Sequence, residues 1–541
     1  MNARWFNILA MIILLGAAAL RLPHLATRSL WFDEAVAANN SQGTLAETIA
    51  NTRSDNSSPI LYPILLCVVQ KLGHSAAIVR ASSYISSVLM IAIVLWLGRR
   101  LVGDRVALLA ALLLAVSSSQ IHFAQEVREY AFSALVAALM TFAYLDYLRL
   151  PAATSKKLRL WATLALAPLV QYGLVLYAFA LVSALILISI SKHTVPWRDI
   201  VIAGGCLGIA GLFSLLFTLR YQWGQNVWYL QDSLFFAGRT NIIKFLYSNS
   251  MALLEFLTPG SLSLGLVVLG LALIILSFSC PNILALRTLL ICAVGVAVLA
   301  AMCHAYPFGG VRQNLYLAPL LMIGAAAGLD QLFSELGSPR RARFFGVVFS
   351  IFFLAGLSAI KENHPYAEFE DTQDVLRHLA PSASSSDIVY IYYGARPAMR
   401  FYAADGHWTR FLPDEANHPL PSVESELADS ANSAHTGRQW RFYAQNKGGI
   451  EFRWGAVYRG NPQGYVVELL SGLRPNCNRI WLVFSHISFE EDQRIASDLQ
   501  NAGWTVNPCE RATGAALYEA THGSIEKSQG TLGSSADDLR P

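Results

Sequence analysis

Eleven long apolar runs succeed one another through the first two-thirds of the chain, near 5–20, 79–98, 106–121, 131–148, 160–174, 175–190, 200–219, 263–279, 284–303, 313–333 and 344–360. Each reads as a membrane-spanning helix, several close to the lower length limit of about 17 residues. A twelfth run, Ile60–Leu72, contains Pro63 and reaches Lys71 near its end. The distribution of basic residues decides whether it crosses. With the N-terminus in the cytoplasm and 60–72 left out of the count, five basic connections face the cytoplasm. They hold Arg99, Arg100 and Arg105; Arg149, Lys156, Lys157 and Arg159; Lys192 and Arg198; Arg287; and Arg340, Arg341 and Arg343. Counting 60–72 as a crossing moves that whole set outside, against the positive-inside rule. The run is therefore expected to be a juxtamembrane or re-entrant helix on the external side.

The same parity places the 21–78 loop, the 122–130 turn, the 219–262 loop and the 304–312 turn outside, together with everything after residue 360. It depends on a tight turn at Gln171–Tyr172–Gly173. If 160–190 were one long helix, the downstream parity would change.

Beyond residue 360 the pattern alternates. Helices are expected at Asp374–Leu379, Pro397–Tyr402, Gln463–Leu473 and Glu490–Ala502. Strands are expected at Asp387–Tyr393, Arg479–Ser485, Trp504–Val506 and Ala515–Ala520. This alternation argues a small α/β domain over 361–521. Residues 404–450 read as irregular, and 522–541, Gly/Ser-rich and charged, as a disordered tail. The fold class expected is thus an α-helical polytopic membrane domain over 1–360, with about eleven transmembrane helices, followed by an exported α/β domain.

Composition sharpens the division. The chain has 541 residues, 54% hydrophobic and 14% charged, against about 25% charged in ordinary soluble proteins. Of the 40 Lys and Arg and 36 Asp and Glu, 37 fall within 1–360 and 39 within 361–541. A disordered chain, a nucleic-acid binder and a purely soluble enzyme are excluded at this level. The net charge of +4 asks for no polyanionic partner. The first apolar run follows Arg4 but has no small-residue cleavage site, so a retained helix is expected and not a removable signal peptide. Cys67, Cys206, Cys280, Cys292 and Cys303 lie in apolar segments or at their edges. Cys477 and Cys509 lie in the polar third. No Cys/His spacing of a zinc site occurs.

Charged groups in so apolar a chain face a cavity, a partner or the interface. The external segments collect several: Asp33 and Glu34 just after the first span; Glu126, Arg128, Glu129 and Tyr130 in one short turn; and His304 and Arg312 around Tyr306–Pro307–Phe308–Gly309–Gly310–Val311. Each alone reads equally as a solvated interfacial group, and Trp31 and Trp223 as belt aromatics. Their convergence on one face is what points to a site.

Leu30–Trp31–Phe32–Asp33–Glu34–Ala35 after a single first helix resembles the Asp-Glu motif of polyprenyl-phosphate-sugar-dependent membrane glycosyltransferases of the GT-C superfamily. In particular it resembles the protein O-mannosyltransferase-like branch, which includes the lipid A aminoarabinose transferases. Ser58–Leu66 resembles that branch's Pro-Pro-Leu-Tyr segment and includes Tyr62. Leu72–Arg80 resembles the stretch that follows it, and Gln125–Ala131 resembles the Arg-x-Tyr turn after the third span. Arg312–Pro319 resembles a late helix start. Asn56–Ser57–Ser58 and Ile60 depart from the pattern, so no phosphate contact is carried over there. The resemblance covers roughly 1–360. It implies transfer of a sugar from a polyprenyl-phosphate donor to a glycan, lipid or protein acceptor by single displacement with inversion, in the plasma membrane.

The residue types fit such chemistry. A carboxylate beside the acceptor hydroxyl takes its proton as it attacks. Arginines or a divalent cation stabilise the departing phosphate. Asp33 is the candidate base, with Glu34 or Glu126 as metal ligand or orienter, so that Asp33, Glu34 and Glu126 form the candidate metal set. Arg128 and Arg312 are the phosphate candidates, with Tyr130, His304 and Tyr62 also near the site. In an extended chain Asp33 and Glu34 would point to opposite sides and so hold different roles. The structural alternative for Glu34 is a salt bridge to Arg128. A lipid-linked sugar transporter or flippase would instead need charges within its spans and an internal repeat. An O-antigen ligase-like transferase would not place an Asp-Glu pair after helix one, and a mere anchor has no need of eleven spans.

In a right-handed strand–helix–strand unit, the strands near Cys477 and Cys509 run parallel and often neighbour each other. That would hold the two sulfurs roughly 20 Å apart. Free thiols are expected.

Overall fold

The computed structural model describes residues 2–523 except 55–57, 223–231, 258–269, 271–283, 333–337, 363–368, 405–407, 409–410, 413–442, 456–457, 459–461, 472, 475–476 and 488. It divides into two compact units, Met1–Glu368 and Phe369–Pro541. The helix Ser338–Glu362 carries the last apolar run two residues past 360.

Ten of the eleven apolar runs fall on helices of the first unit, and the eleventh, 263–279, lies outside the described residues apart from Gly270. Among the described residues, six helices are long and apolar enough to cross a membrane by length and composition: Ala3–Leu20, Ala76–Leu101, Tyr130–Arg149, Tyr172–Lys192, Trp197–Gln222 and Leu284–Met302. The chain is a multi-pass membrane protein. Leu61–Val69, continued by a 3-10 turn to Leu72, forms the short helix expected near 60–72. The turn between the paired runs is tighter than expected: Gln171 alone is extended, and Tyr172 and Gly173 already belong to the next helix. Gly173 packs so closely on Tyr306 and Tyr316 that a Cβ there would lie 2.6 Å from each ring system.

Helix Asp104–Val116 is apolar on every side, and all residues from Val106 to Val116 are buried, so it forms the centre of the bundle. The run expected to continue to 121 breaks at Ser117. The Ser117 hydroxyl donates to the Leu257 carbonyl at 2.7 Å, and its side chain caps the short helix Ser118–Phe123. The break leaves helix-end carbonyls without intrahelical donors. Arg21, fully buried, supplies them: it donates to the carbonyls of Leu114, Ala115 and Ala17 at 3.0 Å each and to the Ser87 hydroxyl at 2.8 Å. One side chain thus ties the end of the first helix to two of its neighbours, and fixes where the loops beyond them begin.

The second unit is a six-stranded mixed sheet of β1 (Ile388–Ile391), β2 (Tyr443–Lys447), β3 (Ile450–Trp454), β4 (Arg479–Ser485), β5 (Thr505–Ala512) and β6 (Ala515–Thr521) in the order β2-β3-β1-β4-β6-β5. β3, β1 and β4 run parallel, and the two edges are antiparallel. Ile388–Val389–Tyr390–Ile391, buried throughout, is the continuous apolar run a central parallel strand requires. Helices Thr372–Ser382, Arg396–Ala404, Tyr465–Leu470 and Glu491–Asn501 lie where helices were expected. The β2–β3 hairpin corrects the irregular reading of 404–450. It turns on Gly448 and Gly449, both at positive φ as a two-residue hairpin turn demands. Cys477 and Cys509 are free. Their strands are parallel but not neighbours, because β6 inserts between β4 and β5. The proposed tail at 522–541 lies almost wholly outside the described residues.

Candidate active site

Three segments of the first unit converge. Asp33 and Glu34 lie in the first turn of helix Phe32–Asn40, so the extended geometry expected for them is replaced by a helical one. Two carboxylates there also complement the positive end of the helix dipole. Their roles still diverge. Asp33 Oδ2 accepts hydrogen bonds from Arg312 Nη2 at 2.8 Å and lies 3.1 Å from Arg128 Nη2. Glu34 is fully buried and pairs with Arg80, not Arg128: Arg80 Nε donates to Oε1 at 2.9 Å and Nη2 to Oε2 at 2.7 Å. The Val127 amide also donates to Oε1 at 2.9 Å. Arg80 further donates to the carbonyls of Leu25, Arg28 and Ser29. The pair therefore clamps the loop after the first helix onto the 122–130 turn, a job reinforced by the bond from Arg28 to the Gln125 carbonyl at 2.8 Å.

That turn presents Glu126, Arg128, Glu129 and Tyr130. The Ser83 hydroxyl donates to the Arg128 carbonyl at 3.1 Å and fixes its backbone. Glu126 is buried, and neither carboxylate oxygen finds a hydrogen-bond partner among the described residues. Arg312 Nη1 and the His122 ring nitrogen Nε2 each lie 3.8 Å from Glu126. Burial pushes its carboxyl up to about 7, against the opposing pull of Arg312. At Asp33 burial also opposes the charge, but Arg128 and then Arg312 outweigh it and hold the carboxyl at about 2. At Glu34 Arg80 likewise overcomes burial and keeps the group ionised.

Arg312 begins the 3-10 turn Arg312–Leu317. Its guanidinium carbon sits 5.3 Å from the centre of the Trp31 ring and 5.7 Å from that of Tyr130, in cation–π range of both. Trp31, which reads from sequence as a belt aromatic, is thus a wall of the site. Trp223 lies outside the described residues.

Tyr62 is buried with its hydroxyl 3.3 Å from Ser82 Oγ and 3.2 Å from Ser83 Oγ, one bond removed from the Arg128 backbone. His304 lies elsewhere: its Nε2 is 2.6 Å from the Phe235 carbonyl and its ring stacks on Phe236 at 4.3 Å. Sequence reasoning missed Arg80, the partner of Glu34, although the stretch ending in it was singled out. It also missed His122 beside Glu126. The signal for His122 was the spacing of four residues to Glu126.

The three carboxylates named as a metal set do not assemble into one. Among the described residues, no three His, Cys, Asp or Glu side chains converge in a way that could hold an ion. Both oxygens of Glu34 are taken by Arg80 and Val127, and Oδ2 of Asp33 already faces two guanidiniums. Arg128 and Arg312 are the guanidiniums beside Asp33.

No protein-family model matches the chain, and no curated protein matches it. Solved structures do. The crystal structure of ArnT from Cupriavidus metallidurans bound to undecaprenyl phosphate aligns with 96% of this chain and 98% of its own, at 14% identity and a TM-score of 0.48. The archaeal oligosaccharyltransferase AglB from Archaeoglobus fulgidus, in complex with an inhibitory peptide and a dolichol-phosphate, aligns with 97% of this chain and 75% of its own, at 12% identity and a TM-score of 0.46. An Archaeoglobus fulgidus oligosaccharyltransferase in complex with Zn and sulfate aligns with 73% and 61%, at 14% identity and a TM-score of 0.45.

Proposed function

We propose that this chain is an integral-membrane glycosyltransferase that moves a hexosyl or pentosyl unit from a polyprenyl-phosphate donor to an acceptor hydroxyl on the external face of the membrane. The observation that carries the reading is Asp33 held between Arg128 and Arg312, at the meeting of three segments that the basic-residue pattern puts outside. A carboxylate and a phosphate-binding pair within one hydrogen bond of each other are the two groups a displacement at an anomeric carbon needs.

Both arginines approach Oδ2 most closely, so Oδ1 is the oxygen assigned to an incoming hydroxyl, and the side chain is 19% exposed. The acceptor hydroxyl donates to that oxygen. As its oxygen bonds to the anomeric carbon, the bond from that carbon to the phosphate oxygen breaks and the proton passes to Asp33. The electron pair leaves on polyprenyl phosphate, whose charge Arg128 and Arg312 hold. One displacement inverts the anomeric centre. Glu34 positions this machinery by way of Arg80 and touches no substrate. The acceptor is a glycan, a lipid or a protein.

Lipid analysis of a strain lacking the gene tests the reading. An accumulated polyprenyl-phosphate sugar is the expected result; an unchanged lipid profile, with an unchanged set of cell-envelope glycans, contradicts it.

A further inference from the structure

Arg128 and Arg312 both direct an Nη2 at the same oxygen of Asp33, at 3.1 Å and 2.8 Å. Two guanidiniums on one anionic oxygen is the arrangement a phosphate oxygen takes between arginines. We propose that the Arg128–Arg312 pair is an anion subsite whose resting occupant is the Asp33 carboxylate, and that the phosphate of the lipid-linked donor enters by displacing it. The inference rests on the lipid-phosphate reading above and adds to it an order of events: the base is tied up until the donor arrives, and the donor itself releases it.

Three features let the exchange happen without rebuilding the site. The arginines stay in place when the carboxylate leaves. Arg312 is held by the Trp31 and Tyr130 rings, and the Arg128 backbone is fixed by Ser83. The backbone under Asp33 also stays, because the next residue, Glu34, is locked by Arg80 and the Val127 amide. What is left to move is the Asp33 side chain, partly exposed and short, which needs only a change of rotamer. Buried Glu126 lies 3.8 Å from Arg312 Nη1.

Competition has a signature that an organising role lacks. If Asp33 occupies the phosphate subsite, neutralising it frees both arginines and phosphate binds more tightly. If Asp33 instead orients the arginines for phosphate, neutralising it weakens binding. Undecaprenyl phosphate, the donor's phosphate without a sugar, is the probe, titrated against the full-length chain purified in detergent. Asp33→Asn and Asp33→Ser, each checked for wild-type thermal stability, are compared with the wild type and with Arg312→Ala. Loss of one charge-assisted competitor is expected to tighten binding by roughly tenfold in both Asp33 variants, while Arg312→Ala weakens it. Equal or weaker binding by whichever Asp33 variants fold, with the wild type binding normally, overturns the displacement alone. Absence of binding by wild type and variants alike overturns the lipid-phosphate reading, and the displacement with it.

Discussion

Asp33 and Glu126 titrate in opposite directions within one site, and the pH dependence of stability separates them. The folded carboxyl of Asp33, at about 2, lies below its ordinary value of 3.8. Its ion pairs therefore stabilise the fold at neutral pH, and that contribution is lost as the pH falls from about 4 towards 2. The folded carboxyl of Glu126, at about 7, lies above its ordinary 4.5. Folding favours its protonated form, so that stabilisation is present below about pH 4.5 and lost as the pH rises through 7. Glu126→Gln should accordingly raise the melting temperature at pH 8.5, by the equivalent of about 3 kcal/mol, and change it little at pH 4.5. A melting temperature lowered equally at both would mean that the carboxylate is paired when charged. At Glu34 the buried pair with Arg80 predicts the reverse. Arg80→Ala strands a fully buried carboxylate and should cost about 3–5 kcal/mol, read as loss of folded protein on size-exclusion chromatography. Wild-type yield and melting would contradict the clamp. The Asp-Glu pair stood out as a candidate because two adjacent acids after an apolar run have few structural uses. Their partners were not legible. Arg80 lies 46 positions from Glu34 and Arg312 lies 279 from Asp33, separations that only the packed bundle closes.

At the level of elements, the turn that carries Arg312 is placed by close backbone packing. Gly309 adopts φ +139°, and a Cβ on Gly310 would lie 2.5 Å from the Ala252 carbonyl oxygen. Gly310→Ala must push helix Ile242–Leu257 and the 3-10 turn apart, moving Arg312 from Asp33. Transfer should fall about tenfold or more while the protein still folds, since a displacement near 1 Å costs that much in a positioned site. Full activity in that variant would show that the turn tolerates movement. The helices themselves were readable, because apolar runs of this length have one stable form in a bilayer. The breaks within them were less so. At Ser117, which interrupts a continuous apolar run, Arg21 donates to the freed carbonyls of Leu114 and Ala115 while the Leu257 carbonyl accepts the serine hydroxyl, and neither partner lies near it in sequence. The β2–β3 hairpin was written in Gly448–Gly449, but its strand Tyr443–Ala444–Gln445–Asn446–Lys447 is mostly polar and gave no alternating apolar signal.

For the whole chain, the basic-residue pattern puts the candidate site and everything after the last apolar helix on one side of the membrane. A reporter fused at residue 365 should read external and one at residue 102 cytoplasmic. A cytoplasmic reading at 365 would break the parity on which the shared face rests. Charge density alone divides the sequence near residue 360, since a bilayer excludes charge. The most direct test of the central claim is the release of polyprenyl phosphate from a polyprenyl-phosphate sugar by the purified chain with an acceptor extract, wild type against Asp33→Asn. Release by the wild type should depend on acceptor and fall by at least about a hundredfold in the variant, with folding intact. Release at near wild-type rate by Asp33→Asn, or none by the wild type with any acceptor fraction, would contradict it.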